Sequence, residues 1–310
     1  MNSLIRALRL VPLLALCITA APSAGAQTAE AAPQKAVLVT GASTGIGRAI
    51  VERLAAKGHF VYAGARKDAD LASLNAIRNV QALRLDVTKP EDIAAAVETV
   101  TESGRGLHGL VNNAGVAIAG LITDAKEEDI DFVMDVNVYG PYRMTRAFAP
   151  MIVASKGRIT TVSSIVGIFS TRDLPVYAMS KHAVEAFGDS LAMQMEPQGV
   201  AVSLIEPGNF NSQLGASAAK RTGAPPRFAE RSQYKEPDEV AAAVEAALFE
   251  EKPKRRYMVA PNQNEADITL RRGLQRLLQL NEGQPYSLDR AALIKMLDEE
   301  LAKTRPAVKP

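Results

Sequence analysis

Tyr177 stands four residues before Lys181 in the stretch YAMSKHAVEAFGDSL. On a helix, residues four apart share a face, so a phenol and an ammonium would be aimed into the same space. A phenol with an ordinary pKa of about 10 is poorly matched to proton transfer at neutral pH, whereas a nearby ammonium favours the phenolate and lowers that pKa. The pair is either a surface coincidence or an acid/base couple, and the rest of the chain decides between them.

A second chemical signal lies in VLVTGASTGIGRAI, where Gly41, Gly45 and Gly47 fall at the passage from an apolar run to a helical pattern, with Ser43, Thr44 and Ile46 between them. A strand-to-helix turn of this kind points backbone amides and a helix N-terminus at one spot, which suits a pyrophosphate. The spacing is G-x3-G-x-G rather than G-x-G-x-x-G, so the turn alone is a weak signal. The next apolar run ends YAGARKD and offers Ala65 and Arg66 before any acid. Dinucleotide-binding folds often place a carboxylate there to hold ribose hydroxyls. A guanidinium favours a 2′-phosphate instead, hence NADP(H) over NAD(H). NAD(H) stays open, because Asp68 could bend back to a ribose.

These groups need elements to hold them. Seven apolar runs of strand length, KAVLVT, HFVYAG, VQALRLD, LHGLVNN, GRITTVS, VAVSLIE and RRYMVA, alternate with helical patterns such as 45–57, 90–103, 127–154 and 177–197. Strands apolar on both faces imply a parallel sheet covered on both sides. The expected fold is α/β: a single Rossmann-type, doubly wound domain over 35–261 with a seven-stranded parallel sheet. Residues 209–235 are poor in periodic hydrophobics and are expected to be either a lid over a cleft or a plain surface loop. Beyond Pro261, a helical C-terminal extension over 262–310 carries Leu270, Leu274, Leu277 and Leu278 as an apolar stripe beside Arg271, Arg272 and Arg276. Docking on the domain or on a partner subunit is the first reading of that stripe, and contact with a membrane surface the second.

The totals narrow the function classes. With 47% apolar and 23% charged residues, the 310-residue chain has the composition of a globular protein with a full core. A net charge of +2 without long basic runs gives no reason to expect nucleic acid as a partner. The lone thiol, Cys17, and the scattered His59, His108 and His182 have no ligand spacing, so no metal site is expected. Arg6 and Arg9, the apolar run that follows and Ala24-Gly25-Ala26 read as a secretory signal over 1–26, followed by a linker over 27–34. The chain is then expected to be exported to the periplasm, or anchored in a membrane if that segment is not cleaved.

TGASTGIG, NNAG at 112–115, Asn137, Ser164, YAMSK at 177–181 and PGNFNS at 207–212 stand in an order and spacing that resemble the short-chain dehydrogenase/reductase family over roughly 35–260, and the stretch VEAFGDSLAMQMEPQGVAVSLIEPGNF is similar to its steroid and retinol dehydrogenase-like branches. The resemblance implies that Tyr177 is the general acid/base, that Lys181 holds the nicotinamide ribose, that Ser164 orients the substrate oxygen and that Asn137 positions a water for proton relay. It also implies that Asp86 and Val87 border the adenine, that Asn113, Ala114 and Gly115 support the cofactor, and that Pro207, Gly208, Phe210 and Ser212 lie near the nicotinamide. Ser212 departs from the threonine often found there, but a hydroxyl remains. Ile165, Phe169, Leu174 and Phe210, with Val166, Ile168 and Val176, would offer apolar surface to the substrate.

The expected function is that of an NADP-dependent oxidoreductase interconverting a ketone or aldehyde and an alcohol by hydride transfer, on an apolar or amphipathic substrate. A homodimer or homotetramer is expected by the same resemblance, with membrane contact confined to residues 1–26 or the extension. The alternatives are a cofactor-binding redox sensor or scaffold without turnover, and an epimerase or dehydratase using the same tyrosine.

Overall fold

Every apolar run becomes a strand, and all seven strands run parallel. The computed structural model describes residues 34–223 and 233–304. The expected leader over 1–26 and all but the last residue of the expected linker lie outside the described residues, as do 224–232 of the expected lid and the last residues of the extension. From Gln34 onward the chain forms one compact unit.

The strands are β1 (Ala36–Val39), β2 (Phe60–Ala65), β3 (Val80–Arg84), β4 (Gly109–Asn112), β5 (Arg158–Val162), β6 (Ala201–Pro207) and β7 (Arg256–Val259). Their order in the sheet is β3-β2-β1-β4-β5-β6-β7, so Leu38 of β1 lies between Tyr62 of β2 and Leu110 of β4. The winding direction reverses between β1 and β4, and in such sheets the crevice outside the carboxyl ends of the strands at that point is where ligands bind.

The helices are α1 (Gly45–Ala56), α2 (Asp68–Asn75), α3 (Pro90–Glu102), α4 (Glu127–Met134), α5 (Gly140–Ala154), α6 (Pro175–Met195), α7 (Leu214–Thr222), α8 (Asp238–Phe249), α9 (Gln263–Asn281) and α10 (Arg290–Thr304). Alternation along the strands divides the core into two layers. Leu38, Leu110 and Ile159 pack on one face with Met144, Phe148 and Ile152 of α5. Val37, Val39, Val111 and Ile205 pack on the other with Ile50, Val51 and Leu54 of α1 and Val240, Val244 and Leu248 of α8.

Three segments refine the expectation. The 127–154 pattern is not one regular helix: a π turn over Asp135–Tyr139 joins α4 to α5 and carries Asn137. The expected lid region contains α7, which is tied back to α4 by an ion pair from Arg221 Nε to Asp129 Oδ1 at 2.6 Å, with the guanidinium 3.9 Å over the Phe132 ring. The extension is helical as expected, but its leucine stripe faces away from the domain: Leu270, Leu274, Leu277 and Leu278 are all exposed. α9 meets the domain through other residues, with Thr269 buried and Gly273 beside Ile168. Among the described residues, no helix is long and apolar enough to cross a membrane.

Candidate active site

The turn after β1 is built for close approach. Gly41 has φ +64°, and a Cβ there would lie 2.8 Å from Ala114 Cα. At Gly47 a Cβ would lie 2.2 Å from the Gly41 carbonyl oxygen and 2.5 Å from Asn113 Nδ2. Only glycine permits this packing of the turn against the end of β4. Asn113 Nδ2 donates to the carbonyls of Thr40 and Gly41 at 2.9 and 3.1 Å, and Thr40 Oγ1 accepts from the amides of Asn113 and Ala114 at 3.0 Å each. Thr44, the N-cap of α1, makes no side-chain cap bond, which leaves the helix N-terminus to a ligand. Glycine cradle and open helix end together fit a dinucleotide pyrophosphate.

Further out, Arg66 is largely exposed, with Nη1 3.7 Å from Asp86 Oδ2. Burial works to raise the Asp86 carboxyl, but hydrogen bonds from the Thr88 amide and hydroxyl, with Arg66 and Lys89 nearby, bring it below the ordinary range. Asp86 is thus an anchored anion beside an accessible guanidinium.

At the other end, α6 starts at Pro175, which needs no hydrogen bond to its nitrogen in the first turn. Tyr177 and Lys181 follow on one face and both are buried. Lys181 Nζ donates to the Val162 carbonyl at 2.8 Å and lies 5.5 Å from the centroid of the Tyr177 ring. Burial pushes the Lys181 ammonium down to about 8, against the opposing pull of Glu185 one turn further along α6. Ser164 Oγ accepts from the Val166 amide and donates to the Pro207 carbonyl, each at 3.3 Å, at the end of β5.

Behind this group lies a buried acidic pair. Glu206, at the end of β6, is pushed up to about 7 by burial and by Glu185. Arg256 of β7 bridges the pair, with contacts of 3.0 Å to Glu185 and 3.1 Å to Glu206.

The glycine turn, Arg66, Asp86, Val87, Asn113 to Gly115, Ser164, Tyr177, Lys181 and the 207–212 turn surround one cavity of about 380 Å³. Ile165, Val166, Phe169, Leu174 and Phe210 line it too, although Phe210 is almost wholly buried and belongs also to the core under α8. Three expected residues do not line it. Ile168 packs toward Gly273, and Val176 turns into a separate apolar cluster with Ile118 and Val133. Asn137 sits one layer behind. Its Oδ1 accepts from the Val116 amide at 2.8 Å, and its Nδ2 donates to the Val116 carbonyl and to Ser180 Oγ, each at 2.9 Å. Ser180 Oγ in turn donates to the Tyr177 carbonyl at 2.7 Å, so the Asn137 side chain braces the start of α6 instead of facing the cavity.

The cavity also includes residues that sequence reasoning missed. Leu214 and Ser217 of α7 line it, as does Thr171, whose hydroxyl oxygen is buried without a hydrogen-bond partner among the described residues. Thr171 lies in the polar run Ser170-Thr171-Arg172-Asp173, which reads as an ordinary turn, so nothing in the sequence singled it out.

Comparison with known proteins gives a consistent picture. A family model described as short chain dehydrogenase matches residues 35–223. The mitochondrial D-β-hydroxybutyrate dehydrogenase of Rattus norvegicus is 38% identical over 192 residues, 59% of this chain and 56% of that protein. The chain thus spans about half the length of this mammalian relative. The NADPH-dependent 3-dehydrocapnine reductase of Ornithobacterium rhinotracheale is 34% identical over 247 residues, 72% of this chain and 87% of that one. Among solved structures, a short chain dehydrogenase/reductase from Burkholderia phymatum in complex with NAD superposes with a TM-score of 0.70 at 26% identity, covering 82% of this chain and 98% of that one.

Proposed function

Because the chain belongs to the short-chain dehydrogenase family, we propose that it is an NADP-dependent oxidoreductase that interconverts a ketone or aldehyde and the corresponding alcohol on an apolar or amphipathic substrate. The observation that carries the reading is the convergence of Ser164, Tyr177 and Lys181 on the same cavity as the glycine turn and Arg66. A nicotinamide cofactor, held by the glycine turn, Arg66 and Lys181, would supply or accept the hydride. Ser164 Oγ orients the substrate oxygen, and the Tyr177 hydroxyl gives its proton to the oxygen as negative charge develops there. In the alcohol-oxidising direction the phenolate takes that proton back. The Lys181 ammonium, 5.5 Å from the Tyr177 ring, stabilises the phenolate and offers donors to the nicotinamide ribose. Asn137 acts through Ser180 and the backbone of Tyr177, by keeping the start of α6 in place.

The preference for NADP rests on Arg66, and the presence of an NADPH-dependent reductase among the relatives supports it. The apolar substrate is argued from Ile165, Phe169 and Leu174, with Leu214 of α7 in the same apolar cluster of the lining. Exposed Tyr142 on α5 and Met179 and Met193 on α6 are where the subunits of a homodimer or homotetramer would pair.

The test is a titration of the purified protein with NADPH and NADH, followed by nicotinamide fluorescence, paired with Tyr177→Phe. The expected results are tighter binding of NADPH and, in the variant, unchanged nucleotide affinity with turnover of a panel of hydrophobic ketones reduced about 10²- to 10⁴-fold. Ketone reduction at the wild-type rate by the variant would remove Tyr177 from the mechanism.

A further inference from the structure

The 207–212 turn lines the cavity through Pro207, Gly208 and Asn209, and it is held from outside the family-matched residues. Asn262 caps α9, its Oδ1 accepting from the Glu265 amide at 3.0 Å. In a capping box the glutamate at this position turns back to the cap residue's own amide. Here Glu265 Oε2 instead accepts from the Asn209 amide at 2.8 Å. Gly208 makes room for it: a Cβ there would lie 2.3 Å from Glu265 Oε2 and 2.8 Å from Pro261 Cδ. The Gly208 amide donates to the Val259 carbonyl at 2.9 Å, so the turn is gripped both by the end of β7 and by the first turn of α9. Thr269, one turn further on, is buried where α9 meets the domain, its hydroxyl donating within the helix to the Glu265 carbonyl at 2.7 Å.

We propose that Glu265 is a positioning residue that latches the C-terminal extension onto the 207–212 turn and so sets the affinity of the nucleotide site. The proposal rests on the nicotinamide-cofactor reading above. Glu265 does not line the cavity, so its effect passes through the backbone of Gly208 and Asn209. By linkage, nucleotide held by the ordered turn tightens the grip on α9 by the same factor that the latch adds to nucleotide affinity.

The test uses the full chain as wild type, Glu265→Ala and Glu265→Gln, with NADPH fluorescence titration and amide hydrogen exchange over residues 262–281. Loss of a hydrogen bond to a charged acceptor should weaken NADPH binding about tenfold in Glu265→Ala. Glu265→Gln keeps an acceptor oxygen and should stay within about twofold of wild type, a rescue that separates the latch from general loss of helix stability. NADPH should slow exchange in α9 of the wild type but not of Glu265→Ala. Wild-type affinity in Glu265→Ala, equal weakening in both variants, or exchange in wild-type α9 indifferent to NADPH would each overturn the latch. If Glu265→Ala does not fold, the wild-type exchange measurement decides alone. A wild type that binds neither NADPH nor NADH would overturn the cofactor reading and the latch with it, whereas normal binding with an unaffected Glu265→Ala overturns the latch only.

Discussion

At Lys181 two effects oppose each other: burial disfavours the ammonium, and Glu185 one turn away favours it. Burial wins and leaves the group near 8, where a modest rise in pH removes its charge. In the free protein the charge that, on the proposed reading, would hold a ribose and a phenolate is therefore lost as pH rises through about 8. NADPH affinity should fall across that range in a titration from pH 6.5 to 9.5, and Lys181→Met should bind weakly with no such dependence. Arg66 carries a different burden, because its guanidinium is mostly solvated and only loosely paired with Asp86 at 3.7 Å. Arg66→Ala should weaken NADPH binding roughly 10- to 100-fold and leave NADH binding within about twofold, as read by the same titration. Both residues were legible in the sequence, since Lys181 keeps fixed spacing from Tyr177 and Arg66 ends an apolar run. Asn137 was legible as a site residue but not in its placement. Only the folded π turn shows that its amide is spent on Val116 and Ser180.

Among the elements, the strands declared themselves because both faces of each are covered, which forces continuous apolar runs. α7 did not. Its sequence LGASAAKRT buries only Gly215 and Ala218, too little to print a stripe, and its place is set from outside by Arg221 against Asp129 and Phe132. A partly exposed ion pair of this kind contributes about 1 kcal/mol or less to global stability. Arg221→Ala should accordingly leave the thermal midpoint within a few degrees while opening residues 214–223 to limited proteolysis, because the pair fastens a peripheral element rather than the core. α9 was legible as a helix from its leucine spacing, but of the contacts that stripe could make, the one with the domain is not made. The residues that dock are Glu265, Thr269 and Gly273, a polar and small set that carries no hydrophobic signature.

Across the whole molecule the two ends of the sheet respond to acid in opposite senses. At the amino ends of the strands, His59 stacks on Phe249 at 3.8 Å, and His108 bonds the Leu248 carbonyl. Burial holds both imidazoles below their ordinary value, so the stability they contribute is present above about pH 6.5 and lost as pH falls. At the carboxyl ends, Glu206 is raised to about 7 by burial and Glu185, so its contribution is full below its unfolded value and lost as pH rises through about 7. Glu206→Gln should therefore lose more thermal stability than wild type on acidification from pH 7 to pH 5, in paired melting curves. The sheet order has a temporal side as well. The nucleotide cavity draws on the first strand-to-helix turn and on a loop clasped by β7 and α9, at opposite ends of the described chain. During synthesis the pocket is thus among the last features to be completed. Nucleotide binding is then expected only after α9 has been made and has closed on the 207–212 turn.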